Sequence, residues 1–238
     1  MDCEDVPTEQ TLRFVQPHLP KGGRVLEVGC GTGALARRLL DLGFSVAAVD
    51  RDPDAVRAAR DRGVPAVEAD FLTFRGGPFD AVLFTRSLHH IHPLELALDR
   101  AHALLAPGGT LLAEEFAVDQ IDRDTARWYY DAQALLEAFD LLKPDPDAPV
   151  GVTDPVERWR VEHVHEPPLH GGRAMLAAIR DRFKVASASD APYLYRYLCA
   201  RLRDPGFAPR IFELERRRVD ASAVRALGLR LVAGRRPS

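Results

Sequence analysis

Short apolar runs alternate with amphipathic stretches along most of this chain. Five runs have strand length and near-continuous apolar character, at residues 24–28, 44–49, 64–69, 79–84 and 110–115. The stretches between them place apolar residues three and four apart, which predicts helices that cover the strands. Two further strands are predicted near 184–187 and 229–233. Since parallel strands need helical crossovers, the pattern predicts an α/β fold: a doubly wound, mostly parallel seven-stranded sheet with helices on both faces.

The pattern changes after residue 118. Residues 119–142 predict a charged helix that carries aromatic side chains, a proline-dense break follows at 143–149, and residues 151–172 read as irregular. Long segments of this kind between regular elements often carry function. We therefore expect one domain over residues 1–238, with 119–172 as a helical and irregular insertion after the fifth strand that acts as a lid.

The composition is that of a globular protein and excludes some classes of function. The chain has 46% apolar residues, 28% charged residues and a net charge of −3, which is ordinary for a globular protein and argues against a nucleic-acid partner. Acidic residues interleave the arginines of its C-terminal part. Cys3, Cys30 and Cys199 are far apart and form no CxxC motif, which favours reduced thiols and a cytoplasmic location. No apolar run approaches the length of a membrane span.

A candidate ligand-binding motif follows the first predicted strand. Gly29, Gly31 and Gly33 form a turn that begins a helix, so a ligand can approach the backbone and meet unpaired N–H groups. Asp50 ends the second strand, 21 residues beyond Gly29, which is the spacing of an acid that binds a ribose. Gly29-x-Gly31-x-x-Ala34 also fits a dinucleotide fingerprint, so this motif alone does not separate a nicotinamide cofactor from other nucleosides.

A wider set of motifs resembles the class I S-adenosylmethionine-dependent methyltransferases. Five segments match that family in order and span about residues 20–117: VLEVGCGTG at 25–33, Asp50, EADF at 68–71, FDAVLFT with LHHI at 79–91, and LLAPGGTL at 104–111. Residues 85–88 lack the Asn/Asp-Pro-Pro-aromatic motif of the enzymes that methylate nucleic-acid bases. The histidines after the fourth strand and the later insertion resemble the small-molecule type.

The resemblance implies a binding site for S-adenosylmethionine, with S-adenosylhomocysteine as product. The amino-acid tail is expected over Gly29–Gly33 with its ammonium near Glu27, the ribose at Asp50, the adenine between Asp70 and Phe71, and the sulfonium near Thr85. The cofactor-binding residues predicted in this way are Glu27, Gly29, Cys30, Gly31, Gly33, Asp50, Arg51, Asp70, Phe71 and Thr85. An acidic Glu27 suits a zwitterionic tail, whereas it would repel a pyrophosphate.

The expected reaction is methyl transfer to a small-molecule acceptor by in-line displacement. A general base is optional, and His89 or His90 is the candidate, with the other histidine used for packing. No metal is expected, because adjacent histidines rarely converge on one ion. Cys30 has no base nearby in sequence and reads as a small filler rather than a nucleophile. Two alternatives remain: a non-catalytic S-adenosylmethionine-binding or partner protein of the same fold, and an NAD(P)-dependent oxidoreductase.

Overall fold

A computed structural model describes residues 5–145 and 148–236 of the chain. Seven strands within these ranges form one sheet: β1 (Arg24–Val28), β2 (Ser45–Asp50), β3 (Ala66–Glu68), β4 (Phe79–Thr85), β5 (Leu105–Phe116), β6 (Phe183–Ala191) and β7 (Gly228–Arg235). The order across the sheet is β3-β2-β1-β4-β5-β7-β6, and the sheet is mostly parallel with one antiparallel hairpin. The predicted fold class is confirmed.

Helices separate most of the strands along the chain, although β4 follows β3 without one. The α-helices found in the described ranges are α1 (Asp5–Val15), α2 (Ala34–Asp41), α3 (Pro53–Asp61), α4 (Leu94–Leu104), α5 (Arg123–Ala138), α6 (Pro155–Glu162), α7 (Gly172–Arg182), α8 (Tyr195–Arg201) and α9 (Ala208–Asp220). A 3-10 turn at Leu88–His90 follows β4. Over the same ranges, no helix is both long enough and apolar enough to cross a bilayer.

The described chain divides into two compact units. The sheet unit comprises residues 8–116, 170–189 and 229–236, and the helical unit comprises residues 5–7, 117–145, 148–169 and 190–228. The predicted insertion at 119–172 therefore falls mostly in the helical unit, to which a second stretch after β6 also contributes.

The sheet unit buries apolar side chains on both faces of its central strands. Leu26, Val82 and Phe84 pack in one cluster with apolar residues of α4 and α7. Val25 and Leu83 alternate with them and pack in a second cluster with apolar residues of α1, α2 and α3. Since successive side chains of a strand point to opposite faces, a strand covered on both faces must be apolar at nearly every position. This is why β1 and β4 were recognisable in the sequence.

The strand order reverses at β1, which lies between β2 and β4. Val28 at the end of β1 pairs with Val49 of β2 and with Phe84 of β4, all in parallel register. The carboxyl ends of the three strands therefore meet at one edge, where Asp50 and Thr85 are the terminal residues. In doubly wound sheets this switch point is the usual place for a ligand.

The helical unit is held together by a buried carboxylate and by aromatic packing. Glu215 of α9 is fully buried and accepts the backbone N–H groups of Tyr193, Leu194 and Tyr195 at 2.6–3.0 Å, where α8 begins. Tyr129 of α5 meets Trp159 of α6 edge-on, with ring centroids 6.0 Å apart. Without Glu215, the three N–H donors of this turn would be buried without a partner.

One expectation about the inserted segment was wrong. Residues 155–162 form α6 rather than irregular chain, because Asp154 accepts the N–H groups of Val156 and Glu157 and Pro155 occupies the first helical position. The same Asp-Pro pair begins α3 at Asp52. The signal was therefore present in the sequence.

We predict that Glu215→Gln destabilises the protein by about 2–4 kcal/mol, because it removes a charged acceptor from buried backbone donors. Glu213→Gln on the same helix is the matched control. Glu213 pairs with Arg216 and Arg217 at the surface, where solvent screens both ion pairs, so its loss should cost much less than the loss of Glu215. Urea unfolding of the three proteins measures both values, and equal losses would contradict the assignment.

Candidate active site

A cavity of about 310 Å³ opens at the carboxyl ends of β1, β2 and β4. Its wall is made by residues 28–29, 49–51, 69–72, 86–87 and 90–92. These segments bring together the following predicted site residues: Gly29, Asp50, Arg51, Asp70, Phe71 and His90. All of these segments belong to the sheet unit, and they come from the ends of four strands and the turns after them.

The three glycines of the turn serve different purposes. Gly29, Gly31 and Gly33 have φ values of 69°, 52° and 76°, in the left-handed region that favours glycine. A Cβ at Gly29 would lie 2.5 Å from the Cβ of Ser87, and one at Gly33 would lie 2.8 Å from the Cβ of Ala59. A Cβ at Gly31 would meet no atom within 4 Å. Packing therefore requires Gly29 and Gly33, whereas Gly31 leaves open space over the turn.

Asp50 fixes the glycine turn. Its Oδ2 accepts the backbone N–H of Gly31 at 2.8 Å, and its Oδ1 accepts the N–H of Asp52 at 3.0 Å. Each carboxylate oxygen carries two lone pairs, so one on each oxygen remains for a ligand hydroxyl. Asp50 thus supports the turn and keeps the capacity to bind a diol.

Glu27 is a buried carboxylate directly before the turn, with only 2% of its surface exposed. Thr85 donates its hydroxyl to Oε1 at 3.2 Å, while Oε2 has no hydrogen-bond partner among the described residues. Burial raises the pKa of Glu27 to about 7, against smaller opposing effects from Thr85, Arg86 and the N–H of Ala36. A buried carboxylate that is only partly compensated is a site at which a ligand cation would be stabilised.

Five of the ten predicted cofactor residues lie outside the cavity wall: Glu27, Cys30, Gly31, Gly33 and Thr85. Thr85 is buried and turns its hydroxyl to Glu27. Cys30 packs in the apolar cluster with residues of α2, and burial, with Glu27 and Asp50 nearby, raises the pKa of its thiol to about 12. Cys30 is therefore protonated at neutral pH and is no nucleophile.

Asp70 and Phe71 form the wall after β3. Phe71 is buried and meets Phe84 edge-on, with centroids 5.4 Å apart. The exposed Asp70 accepts the N–H of Leu72 at 2.8 Å, which shapes the loop. The pair presents an aromatic ring and a carboxylate side by side, which suits a purine with an exocyclic amine.

The two predicted catalytic histidines differ in their surroundings. His89 is 4% exposed, and its Nδ1 lies 2.5 Å from Oε2 of Glu115 at the end of β5. Oε1 of Glu115 accepts the N–H groups of Ser87 and Leu88 at 3.1 and 2.9 Å. His90 is exposed in the cavity wall, with its ring centroid 4.2 Å from that of His89. A carboxylate on Nδ1 orients an imidazole and leaves Nε2 as the basic nitrogen.

Sequence reasoning missed Glu115 as a residue that positions the site. Its signal was two successive acids, Glu114 and Glu115, at the end of an otherwise apolar strand. Both are fully buried, so each must have partners in the fold. Which partners those are depends on segments distant in sequence.

Hydrogen bonds from His170 hold the loop after β4 in place. The N–H of His170 donates to the carbonyl of His89, and its Nε2 lies 3.0 Å from the carbonyl oxygen of Ile91. Burial lowers the pKa of His170 and favours its neutral form. Its ring also lies 3.9 Å from that of His92, centroid to centroid. Within the described residues, no three His, Cys, Asp or Glu side chains are grouped to hold a metal ion.

Known proteins share both the sequence of the first half and the fold. A family described as a methyltransferase domain matches residues 4–143, more than half of the chain. The chain belongs to this methyltransferase domain family, which confirms the class I methyltransferase resemblance. Family membership and fold together support S-adenosylmethionine as the cofactor.

Individual relatives agree with this class. A ubiquinone biosynthesis O-methyltransferase of Xanthomonas axonopodis is 41% identical over 112 residues, which cover 42% of this chain and 46% of the relative. The chain thus spans about half the length of the curated relatives it matches. An S-adenosylmethionine-dependent methyltransferase of Mesorhizobium loti has a TM-score of 0.60 at 17% identity, with 98% of each chain covered. The N-methyltransferase NodS of Bradyrhizobium japonicum, solved with S-adenosylhomocysteine, has a TM-score of 0.56 at 16% identity and covers 99% of this chain and 88% of its own.

The charge of Glu27 predicts a pH-dependent stability. The pKa of Glu27 is about 7 in the folded protein and has its ordinary value of 4.5 in the unfolded chain, so between these values the folded state holds a proton that the unfolded state releases. The free energy of unfolding should therefore fall as pH rises through this window, by up to about 1.4 kcal/mol per pH unit. The stabilisation that the raised pKa of Glu27 provides is fully present below pH 4.5 and lost above pH 7.

Glu27→Gln removes this titration and is the reference for the measurement. The difference in unfolding free energy between the wild-type protein and Glu27→Gln, measured by urea titration from pH 5 to pH 8, isolates Glu27 because all other groups cancel. We expect the wild-type protein to lose stability relative to the variant as pH rises. Parallel curves would show that Glu27 is not a buried carboxylate with a raised pKa.

Proposed function

We propose that this protein is an S-adenosylmethionine-dependent methyltransferase that acts on a small-molecule acceptor. The observation that carries the proposal is Glu27: a buried carboxylate with an oxygen that no described residue pairs, beside a turn that Gly31 leaves open. A ligand with a cationic group over the turn satisfies both features. The cofactor's amino-acid tail has such a group and carries no phosphate.

The same observation weighs against a dinucleotide. A pyrophosphate at the helix N-terminus would lie beside Glu27 and Asp50, and unlike a zwitterionic tail it has no cationic group to pair with either carboxylate. Neutralising Glu27 by protonation would remove part of the repulsion between carboxylates and phosphates but would leave Asp50 in place. The NAD(P)-dependent oxidoreductase is therefore the weaker interpretation of this site.

Each part of the cavity would hold one part of the cofactor. In this assignment the turn at 29–33 carries the tail with its ammonium at Glu27, Asp50 accepts the ribose hydroxyls, and Asp70 with Phe71 receives the adenine. Arg51 lies beside Asp50 in the wall. When bound, S-adenosylmethionine supplies a methyl group on a sulfonium, which needs alignment with the acceptor rather than further activation.

We assign His89 as the general base and His90 as part of the cavity wall. The contact with Glu115 holds the His89 ring and places its proton on Nδ1, so Nε2 is free to accept a proton from the acceptor. A hydroxyl acceptor is the case that requires such a base, and the name O-methyltransferase of the Xanthomonas relative supports it. The buried position of His89 keeps bulk water from competing for this proton.

The proposal also covers the cellular location of the protein, the role of residues 119–172 as a lid and the class of acceptor. A cytoplasmic location is supported by the free thiols of Cys30 and Cys199, while Cys3 lies outside the described residues. The lid role of 119–172 stays a prediction, and residues 146 and 147 of that segment also lie outside the described residues. We propose a small molecule rather than nucleic acid as the acceptor, in line with the net charge of −3.

Calorimetry with S-adenosylhomocysteine and NAD tests the cofactor. We expect S-adenosylhomocysteine to bind and NAD not to bind. In Gly31→Ala the new Cβ enters the open space over the turn, so affinity should fall at least about tenfold, with only about 1–2 kcal/mol of stability lost to the left-handed backbone. Binding of NAD without S-adenosylhomocysteine would overturn the proposed function.

Kinetics of the two histidine variants test the base. With an acceptor that the wild-type enzyme methylates, His89→Gln should lower kcat by about 10²–10⁴-fold and leave S-adenosylhomocysteine affinity unchanged. His90→Gln is the matched neighbour, and since His90 lines the cavity it should change that affinity more than kcat. The reverse pattern would assign the base to His90. If S-adenosylhomocysteine binds but a broad acceptor panel gives no turnover, the non-catalytic binding protein becomes the better interpretation.

A further inference from the structure

Arg86 is in an unusual backbone conformation at the edge of the cavity. Its φ is 70°, in the left-handed region that residues other than glycine rarely adopt. Its N–H donates to the carbonyl of Glu114 at 2.8 Å, which holds the backbone in this shape. Outliers of this kind cluster at ligand sites, where the surrounding structure fixes them. The conformation keeps an arginine side chain in the cavity wall.

The guanidinium of Arg86 has no hydrogen-bond or ion-pair partner among the described residues. Other arginines of the sheet unit are paired: Arg182 with Asp99, and Arg230 with Glu114. Arg86 is exposed, lines the cavity and makes no ion pair or side-chain hydrogen bond within the described chain. Its five donors are therefore available to an anion in the cavity.

The glycine turn has a positive charge, Arg86, on one side and a negative charge, Asp50, on the other. Val28 pairs with Phe84, so Arg86, two residues beyond Phe84, follows β4 on one side of the turn. Asp50 ends β2 on the other side and contacts Gly31. Arg86 is also the first of the charged groups that act on Glu27, and its charge lowers the pKa of that carboxyl. An anion over the turn is attracted toward Arg86 and repelled by Asp50.

We propose that Arg86 binds the α-carboxylate of the cofactor's amino-acid tail while Glu27 binds the ammonium on the same carbon. The inference rests on the proposed function, which assigns a partner to the ammonium of the cofactor's tail, and it adds a partner for the carboxylate. The ammonium and carboxylate of an amino acid share one carbon, so their partners must lie close together. Glu27 pairs with Leu83 of β4, three residues before Arg86, and the charge of Arg86 acts on the Glu27 carboxyl. A guanidinium matches a carboxylate with two parallel hydrogen bonds.

Arg51 is the competing cation in the same wall. It follows Asp50 on the far side of the turn, where we place the ribose. A carboxylate bound there would lie against Asp50 and away from Glu27. This separation assigns the carboxylate to Arg86 rather than to Arg51.

Calorimetry with three ligands tests the assignment on Arg86→Gln. The ligands are S-adenosylhomocysteine, its decarboxylated analogue, which keeps the amine, and its deaminated analogue, which keeps the carboxylate. Loss of a charged hydrogen-bonded pair should weaken S-adenosylhomocysteine and the deaminated analogue by about tenfold to a hundredfold. The decarboxylated analogue should bind Arg86→Gln as it binds the wild-type protein. Glu27→Gln should show the mirror pattern, with only the ligands that carry an amine weakened.

Two further variants serve as controls for the binding measurements on Arg86→Gln. Arg86→Gly accepts a φ of 70° without strain, so it separates loss of the guanidinium from any backbone effect and should match Arg86→Gln in binding. Arg75→Gln removes an exposed arginine of the same unit that is outside the cavity wall, and it should bind all three ligands as the wild-type protein does.

The outcomes separate the inference from the proposed function. If the wild-type protein binds no S-adenosylhomocysteine, the proposed function fails. If it does, and Arg86→Gln and Arg86→Gly bind the same ligand with unchanged affinity, the function stands and the carboxylate assignment is overturned. Equal weakening of the decarboxylated analogue would also overturn it, because Arg86 would then act on another part of the ligand.

Discussion

The carbonyl of Val28, where β1 ends, accepts a hydrogen bond from the hydroxyl of Ser87 at 2.5 Å. Ser87 reaches it only because Gly29 has no side chain, since a Cβ there would lie 2.5 Å from the Cβ of Ser87. The N–H of Ser87 in turn donates to Glu115 of β5. This close contact joins the ends of three strands and holds the glycine turn, the 3-10 turn at Leu88–His90 and the cavity wall in one arrangement.

Buried carboxylates at the strand ends show which polar groups the fold needs for itself. Glu114 accepts the hydroxyl of Thr11 at 2.5 Å and the guanidinium of Arg230 at 2.8 Å. Glu115 accepts backbone N–H groups and the ring of His89, so it shapes the loop. Glu27 alone of these three keeps an oxygen that no described residue pairs. Because burying a charge is costly unless it is compensated, one that is only partly compensated points to a ligand.

Much of the site could be predicted because its residues stand at the ends of recognisable strands. Gly29, Asp50 and Asp70 were found by that rule, and the structure brings them to one cavity. The roles of Glu115 and Arg86 were not found, because neither has a local signal of its use. Glu115 acts on a turn 26–28 residues earlier in the chain, and Arg86 matters through its φ of 70° and its lack of a hydrogen-bond or ion-pair partner among the described residues.

The class of fold and the position of the switch point follow from the local pattern of the sequence. Strands covered on both faces are apolar at nearly every position, and most parallel strands are joined by helical crossovers, so both properties can be recognised from local sequence pattern. The pairing of the buried acids and the carboxylate on Nδ1 of His89 are visible in the three-dimensional structure alone. The same is true of the Thr85 hydroxyl, which points to Glu27 rather than to the cavity. Those outcomes depend on distances between side chains on different strands, which no local pattern encodes.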